Sequence, residues 1–206
     1  RTPVRGSYRD YGIISMPPPS SGGVALIEML NILEGYDLTA SGFGSADTLH
    51  LMTESMRRAY ADRARFIGDP DFNEMPISEL ISKSRGETQR ASINPSKASV
   101  SSPDSFTWPA ESPETTHFSV VDKDRNAVSF INTIFFPFGS AQVAPKSGIV
   151  LQNRGMGFTL EAGHPNCIAP NKRPLHTIIP GMLMKDGKAQ MPFGVMGGQY
   201  QAAGHA

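Results

Sequence analysis

The spacing of apolar residues divides the chain into a helical first half and a β-rich second half. Leu26, Leu30 and Leu33 recur at helical spacing after the proline-rich run MPPPSSGG, and either Ser20 or Ser21 is placed to cap that helix. A short strand precedes this helix, and two more helical patterns follow it. The predicted elements are a strand over 5–16 and helices over 24–38, 46–68 and 77–93.

Alternating apolar and polar residues replace the helical pattern after residue 114. The segments HFSVVD and NAVSFIN flank the turn residues 123–125, which predicts a β-hairpin. SGIVLQN and LMKDGKAQMPFGV are each predicted to add strands. Seven serines and four prolines lie between residues 92 and 113, and this composition predicts a linker or mobile loop over 92–114.

Composition narrows the classes of function. The chain has 206 residues with 39% hydrophobic residues, and its 19 basic and 19 acidic residues balance, which gives no electrostatic case for binding nucleic acid or an anionic membrane. No run of apolar residues approaches the length of a membrane span. Cys167 is the single cysteine, so no internal disulfide forms, and we interpret it as a small packing residue. The compartment stays open between cytoplasmic and periplasmic or secreted.

The common catalytic signatures are absent from the sequence. There is no GxSxG elbow, no HExxH and no phosphate-binding Walker loop. The histidines lack metal-ligand spacing, so neither a metal nor another cofactor is expected. The histidines are His50, His117, His164, His176 and His205.

Two threonines stand where the Ser/Pro-rich run meets the first strand of the hairpin. A threonine hydroxyl is a weak nucleophile that needs a base, and a chain cut just before the threonine supplies one as its new α-amine, with a pKa of about 7.7–8.0. Thr115 meets two requirements of this chemistry, since a proline-rich segment precedes it and a strand follows it. Gly197 and Gly198 in GVMGGQY can bring backbone N–H groups close to an oxyanion.

Several segments in order together resemble the γ-glutamyltranspeptidase family of N-terminal nucleophile hydrolases. They are MPPPSSGG with LNILEGYDL, RRAYADRARFIGDPDF, TTHFSVVDKDRNAVS, SGIVLQN, PNKRPLHTIIP and GVMGG. The resemblance implies an α+β fold, a four-layer αββα sandwich that is incomplete in this chain, because both ends look cut from a longer protein. It also implies a precursor that cleaves itself between Glu114 and Thr115. Residues 1–114 would be the C-terminal part of the large subunit, and 115–206 the N-terminal part of the small subunit of a heterodimer.

The resemblance assigns roles to four residues. Thr115 would be the nucleophile, with Thr116 as the competing candidate, and Thr133 would hydrogen-bond the nucleophile. Gly197 and Gly198 would form the oxyanion hole. The implied activity is transfer of a γ-glutamyl group, as in glutathione metabolism, to an amino acid or to water without a cofactor.

Five positions bear on which substrate the chain would bind. Phe135 and Gly157 stand where glutathione-cleaving relatives carry an asparagine and an amine-binding aspartate, whereas Arg154 suits a carboxylate or is a surface residue. His176 and Thr177 replace a pair of serines, and both are candidate substrate-binding residues. The alternatives are a glutaryl- or cephalosporin-type acylase, a poly-γ-glutamate-processing hydrolase, or, in another class, an uncleaved and inactive protein.

Overall fold

The computed structural model describes residues 1–100 and 114–206, with residue 114 described by its backbone alone. These residues form six helices, six strands and two short 3-10 turns at 154–157 and 198–200. The first part contains β1 (Val4–Tyr8), β2 (Tyr11–Ser15), α1 (Gly22–Leu33), α2 (Leu38–Ser41), α3 (Ala46–Phe66), α4 (Ile77–Leu80) and α5 (Lys83–Ala91). The second part contains β3 (Glu114–Val121), β4 (Ala127–Phe135), β5 (Gly181–Lys185), β6 (Lys188–Phe193) and α6 (Gln201–His205).

A four-stranded antiparallel sheet joins the two parts of the chain. Its strand order is β1-β2-β5-β6, so β2 from the first part pairs with β5 from the second. Gly12 lies opposite Met184 and Ser15 opposite Gly181 in this pairing. The backbone on either side of residue 114 is therefore held in one sheet.

Helix α1 supplies the centre of the core. All twelve of its residues are buried, as its nearly continuous apolar sequence leads one to expect. Leu26, Ile27 and Leu30 pack with Val4 and Ile13 of the sheet. Helix α3 packs beside α1, where its Ala59 joins Ala25 and Met29 in a second cluster. The sheet is thus covered on one face by helices.

The predicted hairpin is confirmed as strands β3 and β4. Side chains alternate between its two faces, so Ile131 is buried while Phe118 and Phe130 on the other face are exposed and stack at 4.9 Å. The hydroxyl of Ser129 donates to the carbonyl of Phe193 over 2.7 Å, which docks the hairpin against the end of β6.

Two predicted elements are each divided in the structure. The single strand expected over 5–16 is the hairpin β1–β2, because Arg9 adopts a positive φ of 51° and turns the chain. The third predicted helix is interrupted between α4 and α5. Ser82 caps the second piece by accepting a hydrogen bond from the amide of Arg85 over 3.1 Å.

Two further local predictions are wrong. SGIVLQN forms no strand and contributes only an isolated bridge between Val143 and Val150. Ile149 is exposed, so this apolar side chain is not packed against a neighbouring strand among the described residues. Ser21 occupies the position before α1, but its hydroxyl donates to the carbonyl of His176 over 3.1 Å and does not cap the helix. A tertiary hydrogen bond thus replaces the expected local one.

The start of the predicted linker is docked on α3. Ile93 is buried, and the amide of Ser99 donates to Oε1 of Glu54 over 2.9 Å. Residues 101–113 of the predicted linker lie outside the described residues.

None of the described helices is both long and apolar enough to span a bilayer.

Candidate active site

Thr115 and Thr133 face each other directly across the two strands of the hairpin. They are register partners, and the Thr115 hydroxyl donates to Oγ1 of Thr133 over 3.2 Å. The amide of Phe135 donates to the same Thr133 oxygen over 2.9 Å. The pairing register shifts between residues 114 and 115, as happens at β-bulges, which often border active sites. The structure therefore brings the two sequence-predicted threonines together beside an irregular backbone.

Phe135 ends strand β4 in a conformation that is unusual for a phenylalanine. Its φ is 81°, in the left-handed region, and its side chain is buried. The ring stacks on Phe136 with centroids 4.4 Å apart. In the β ladder its partner is residue 114, so Phe135 lies directly beside the predicted cleavage point.

Arg154 lies on the Phe135 ring, and the interpretation of it as a surface residue is wrong. It is 5% exposed, and its Cζ lies 3.9 Å from the ring centroid. Its Nη1 donates to Oγ1 of the buried Thr177 over 3.1 Å. Arg154 begins the short turn of residues 154–157, which folds it back toward β4. Three of the five predicted acyl-site residues thus form one cluster: Phe135, Arg154 and Thr177.

His176 is next to this cluster but is engaged with its own backbone. Its Nδ1 accepts from the amides of Thr177 and Ile178 over 3.0 and 3.3 Å, with the ring tautomer assigned from these bonds. Burial, with a smaller contribution from the positive charge of Arg154, lowers the pKa of His176 to about 4. The ring is therefore neutral at pH 7, and it fixes the loop that carries Thr177.

Gly157 ends the turn that Arg154 begins. A Cβ at Gly157 would have the carbonyl oxygen of Leu175 as its nearest neighbour, at 3.7 Å, which is an ordinary contact distance. The turn therefore has room for a Cβ at residue 157, and the glycine itself supplies no carboxylate there.

Gly197 and Gly198 both adopt backbone conformations that favour glycine. Their φ angles are 121° and 53°, and they lead into the turn before α6. Gly194 brings this segment to the hairpin, because a Cβ at residue 194 would lie 2.1 Å from Cδ2 of His117, two residues along β3 from Thr115. Successive N–H groups in such a turn suit a developing anion.

Sequence reasoning missed two residues that hold this glycine turn. His117 forms a hydrogen bond to Ser129 through Nε2 over 2.9 Å and packs against Gly194. The only sequence signal for this role was its position directly after the two threonines. The Tyr60 hydroxyl of α3 donates to the carbonyl of Gln199. Tyr60 lies in RRAYADRARF, a segment that matched the family without suggesting this contact.

An ion pair between a buried aspartate and an exposed arginine joins the two parts of the chain. Asp69, after α3, is fully buried and accepts from the backbone amide of Arg173 over 2.8 Å and from its guanidinium over 2.7 Å. These residues belong to the segments GDPDF and PNKRPL.

Within ranges 1–100 and 114–206, no group of three or more histidine, cysteine, aspartate or glutamate side chains could hold a metal ion.

Comparisons with known proteins identify the family of the chain. The γ-glutamyltranspeptidase family model matches residues 1–206. The chain belongs to the γ-glutamyltranspeptidase family. It is 44% identical to the glutathione hydrolase proenzyme of Escherichia coli over 96% of its own length, and 41% identical to the acylase ACY 1 proenzyme of Pseudomonas sp. strain V22. Because these matches span only 36% and 35% of the two relatives, the chain corresponds to about a third of such a protein.

Solved structures confirm the predicted fold class. The crystal structure of a cephalosporin acylase from Bacillus halodurans superposes with a TM-score of 0.84 at 34% identity, covering 98% of this chain and 36% of that one. The mixed arrangement of helices and antiparallel sheets is thus that of this family of N-terminal nucleophile hydrolases. Relatives named as glutathione hydrolases and as acylases both occur in the family.

Proposed function

We propose that Thr115 is the nucleophile of a self-cleaving, amide-cleaving acyltransferase or hydrolase. One observation carries the proposal, namely the 3.2 Å hydrogen bond from the Thr115 hydroxyl to Thr133 across a fixed β ladder. The bond orients the hydroxyl, and the position of Thr115 at the start of β3 lets cleavage turn it into an N-terminus. Family membership adds support, since several relatives are named proenzymes.

Self-cleavage uses the Thr115 hydroxyl on the preceding peptide bond. The oxygen attacks the carbonyl carbon of Glu114, the C–N bond to Thr115 breaks, and the hydroxyl proton ends on the released amine. Water then hydrolyses the resulting ester, which leaves a carboxylate at residue 114 and a free amine and hydroxyl on Thr115.

Turnover repeats the attack on an external amide. The Thr115 α-amine accepts the hydroxyl proton as the oxygen attacks, and it returns the proton to the leaving amine. Backbone N–H groups of Gly197 and Gly198 stabilise the tetrahedral oxyanion. The acyl group then passes from the Thr115 ester to water or to an amino acid, and no cofactor takes part.

The leading substrate class is a γ-glutamyl amide such as glutathione, which the name of the Escherichia coli relative supports. The second candidate is an acylase that accepts glutaryl or related acyl amides. It is favoured by Arg154 on Phe135 and by the glycine at residue 157. A poly-γ-glutamate-processing hydrolase belongs to the same chemistry. An uncleaved and inactive protein is the alternative of another class.

We further propose that 1–114 and 115–206 belong to the large and small subunits of a cleaved heterodimer. The pairing of β2 with β5 and the ion pair between Asp69 and Arg173 support this, because both survive a cut at residue 114. Together they would hold the two products in one folded unit.

The test is self-cleavage of the full-length protein that contains this chain. On a denaturing gel, we expect two bands whose smaller member begins at Thr115 by N-terminal sequencing. Thr115→Ala should remain one band, whereas Thr115→Ser, which keeps a hydroxyl, should still be cleaved. A single intact band in the wild type, or a small subunit that begins at Thr116, would contradict the assignment.

A further inference from the structure

We propose that Arg154 is a specificity-determining residue that binds the free carboxylate of a dicarboxylic acyl group. The preferred amides would then carry an anion, and no ammonium, on the acyl chain, so the inference selects the second candidate substrate class, the glutaryl-type acyl amides, over γ-glutamyl amides. This inference rests on the proposed role of Thr115 as the nucleophile, and it names the substrate class of the same site.

The position of residue 114 locates the acyl side of the site. Its backbone pairs with Phe135, and Arg154 lies on the ring of Phe135 at 3.9 Å. In the uncleaved chain, residue 114 is the acyl group attached to Thr115. After cleavage this residue departs, and the acyl group of the ester on Thr115 Oγ1 takes the same side. Arg154 therefore borders the acyl chain.

The surroundings of Arg154 suit a carboxylate. Cζ of the guanidinium lies 3.9 Å from the centroid of the Phe135 ring, and Thr177, itself 2% exposed, accepts from Nη1 over 3.1 Å. The N–H groups in the plane of a guanidinium match the two oxygens of a carboxylate. Because Arg154 is 5% exposed, an ion pair formed there is screened weakly by water.

The same surroundings disfavour an ammonium on the acyl chain. A second cation next to a fixed guanidinium is repelled unless a carboxylate pairs with it. Gly157, on the same turn as Arg154, provides none. His176 is neutral at pH 7, since its pKa is lowered to about 4, so the charge in contact with Phe135 is that of Arg154.

The experiment compares acyl p-nitroanilides on the cleaved full-length protein. The glutaryl anilide carries the distal carboxylate, and the 4-carbamoylbutyryl anilide is its neutral isostere. We expect wild-type kcat/KM to favour glutaryl by about 10- to 100-fold, the range for a hydrogen-bonded charged group. Arg154→Met should reduce this ratio to near one. Both substrates are measured on one preparation, so the ratio does not depend on the folded fraction.

Three variants complete the design. Arg125→Met removes an exposed arginine in the turn between β3 and β4 and should leave the ratio unchanged. If Arg154→Met fails to fold, Thr177→Val should lower the ratio while Thr177→Ser retains it, since only valine lacks the hydroxyl that Nη1 contacts.

The outcomes separate the inference from the proposed function. A wild type that hydrolyses both anilides equally, or an Arg154→Met variant that keeps the glutaryl preference, would overturn the inference while Thr115 stands. A protein that neither cleaves itself nor hydrolyses any of these anilides would overturn both.

Discussion

The two halves of the candidate site follow different physical rules. The pair of Thr115 and Thr133 is fixed by backbone register, because opposed residues of a short hairpin cannot separate without breaking the ladder. The cluster of Phe135, Arg154 and Thr177 is held instead by side chains from three separate segments. In the proposed account, the chemistry lies where the backbone dictates geometry, and substrate selection lies where single side chains can change.

The chain is similar both to relatives named as glutathione hydrolases and to relatives named as acylases. Under the proposed function, a substitution in the side-chain cluster would alter which acyl group fits without moving Thr115. Single substitutions should therefore be able to remove one half of the site or to convert the other.

Replacing Thr133 with valine should disable the half of the site that is fixed by register, the pair of Thr115 and Thr133. The substitution keeps the β-branched shape but removes the oxygen that accepts from Thr115 and from the Phe135 amide. We expect self-cleavage and kcat to fall by about 100- to 1,000-fold, as for loss of a positioned proton-transfer or oxyanion group. Thr133→Ser should retain most activity. A valine variant with normal cleavage would contradict the proposed role of this hydroxyl.

Replacing Gly197 with alanine should damage the same half through its oxyanion donors. The φ of 121° is strained for alanine, so the turn should shift and kcat should fall by about 100-fold. Gly187→Ala is the matched control, since residue 187 has a φ of 73° in the β5–β6 turn and open space around it. Equal kcat for the two variants would argue against an oxyanion role for Gly197.

Replacing Gly157 with aspartate should convert the other half. The nearest atom to the new Cβ is 3.7 Å away, an ordinary contact distance, and a carboxylate at this position would pair with a substrate ammonium. We expect the ratio of kcat/KM for γ-glutamyl over glutaryl anilide to rise by about tenfold. Gly155→Asp, on an exposed part of the same turn, should leave the ratio unchanged. No change in the Gly157 variant would remove residue 157 from the acyl site.

The smallest effect concerns pH and His176. Its folded pKa of about 4 lies below the unfolded value near 6.5, so the unfolded state binds more protons between these values. The stability it contributes is complete above pH 6.5 and is lost as the pH falls toward 4. His176→Asn keeps an acceptor for the amides of Thr177 and Ile178 but cannot titrate. The melting temperature of this variant should therefore fall less on acidification than that of the wild type, and identical pH slopes would contradict this account.

The half of the site that depends on register was the part that sequence could predict. Alternation on both sides of a short turn predicted the hairpin, and the family resemblance implied that Thr133 is the partner of Thr115; the structure has both the hairpin and this pairing. The α1 core was equally readable, because its apolar run is buried throughout.

Side-chain contacts between distant segments could not be predicted in the same way. Nothing local in NRGMGF indicates that Arg154 folds back onto Phe135, and the positive φ of Phe135 contradicts its own propensity. Tertiary contacts also explain the two wrong local predictions. SGIVLQN has only an isolated bridge to pair with, and the Ser21 hydroxyl bonds the carbonyl of His176 and does not cap α1.

The most direct test of the central claim is the intact mass of the acylated enzyme. The cleaved full-length protein is mixed with glutaryl p-nitroanilide, quenched in acid during turnover, and its two subunits are weighed. We predict a gain equal to one glutaryl group on the subunit that begins at Thr115, with the modification mapped to that residue. An adduct mapped to another residue, or turnover without any adduct on this subunit, would contradict the role of Thr115 as the nucleophile.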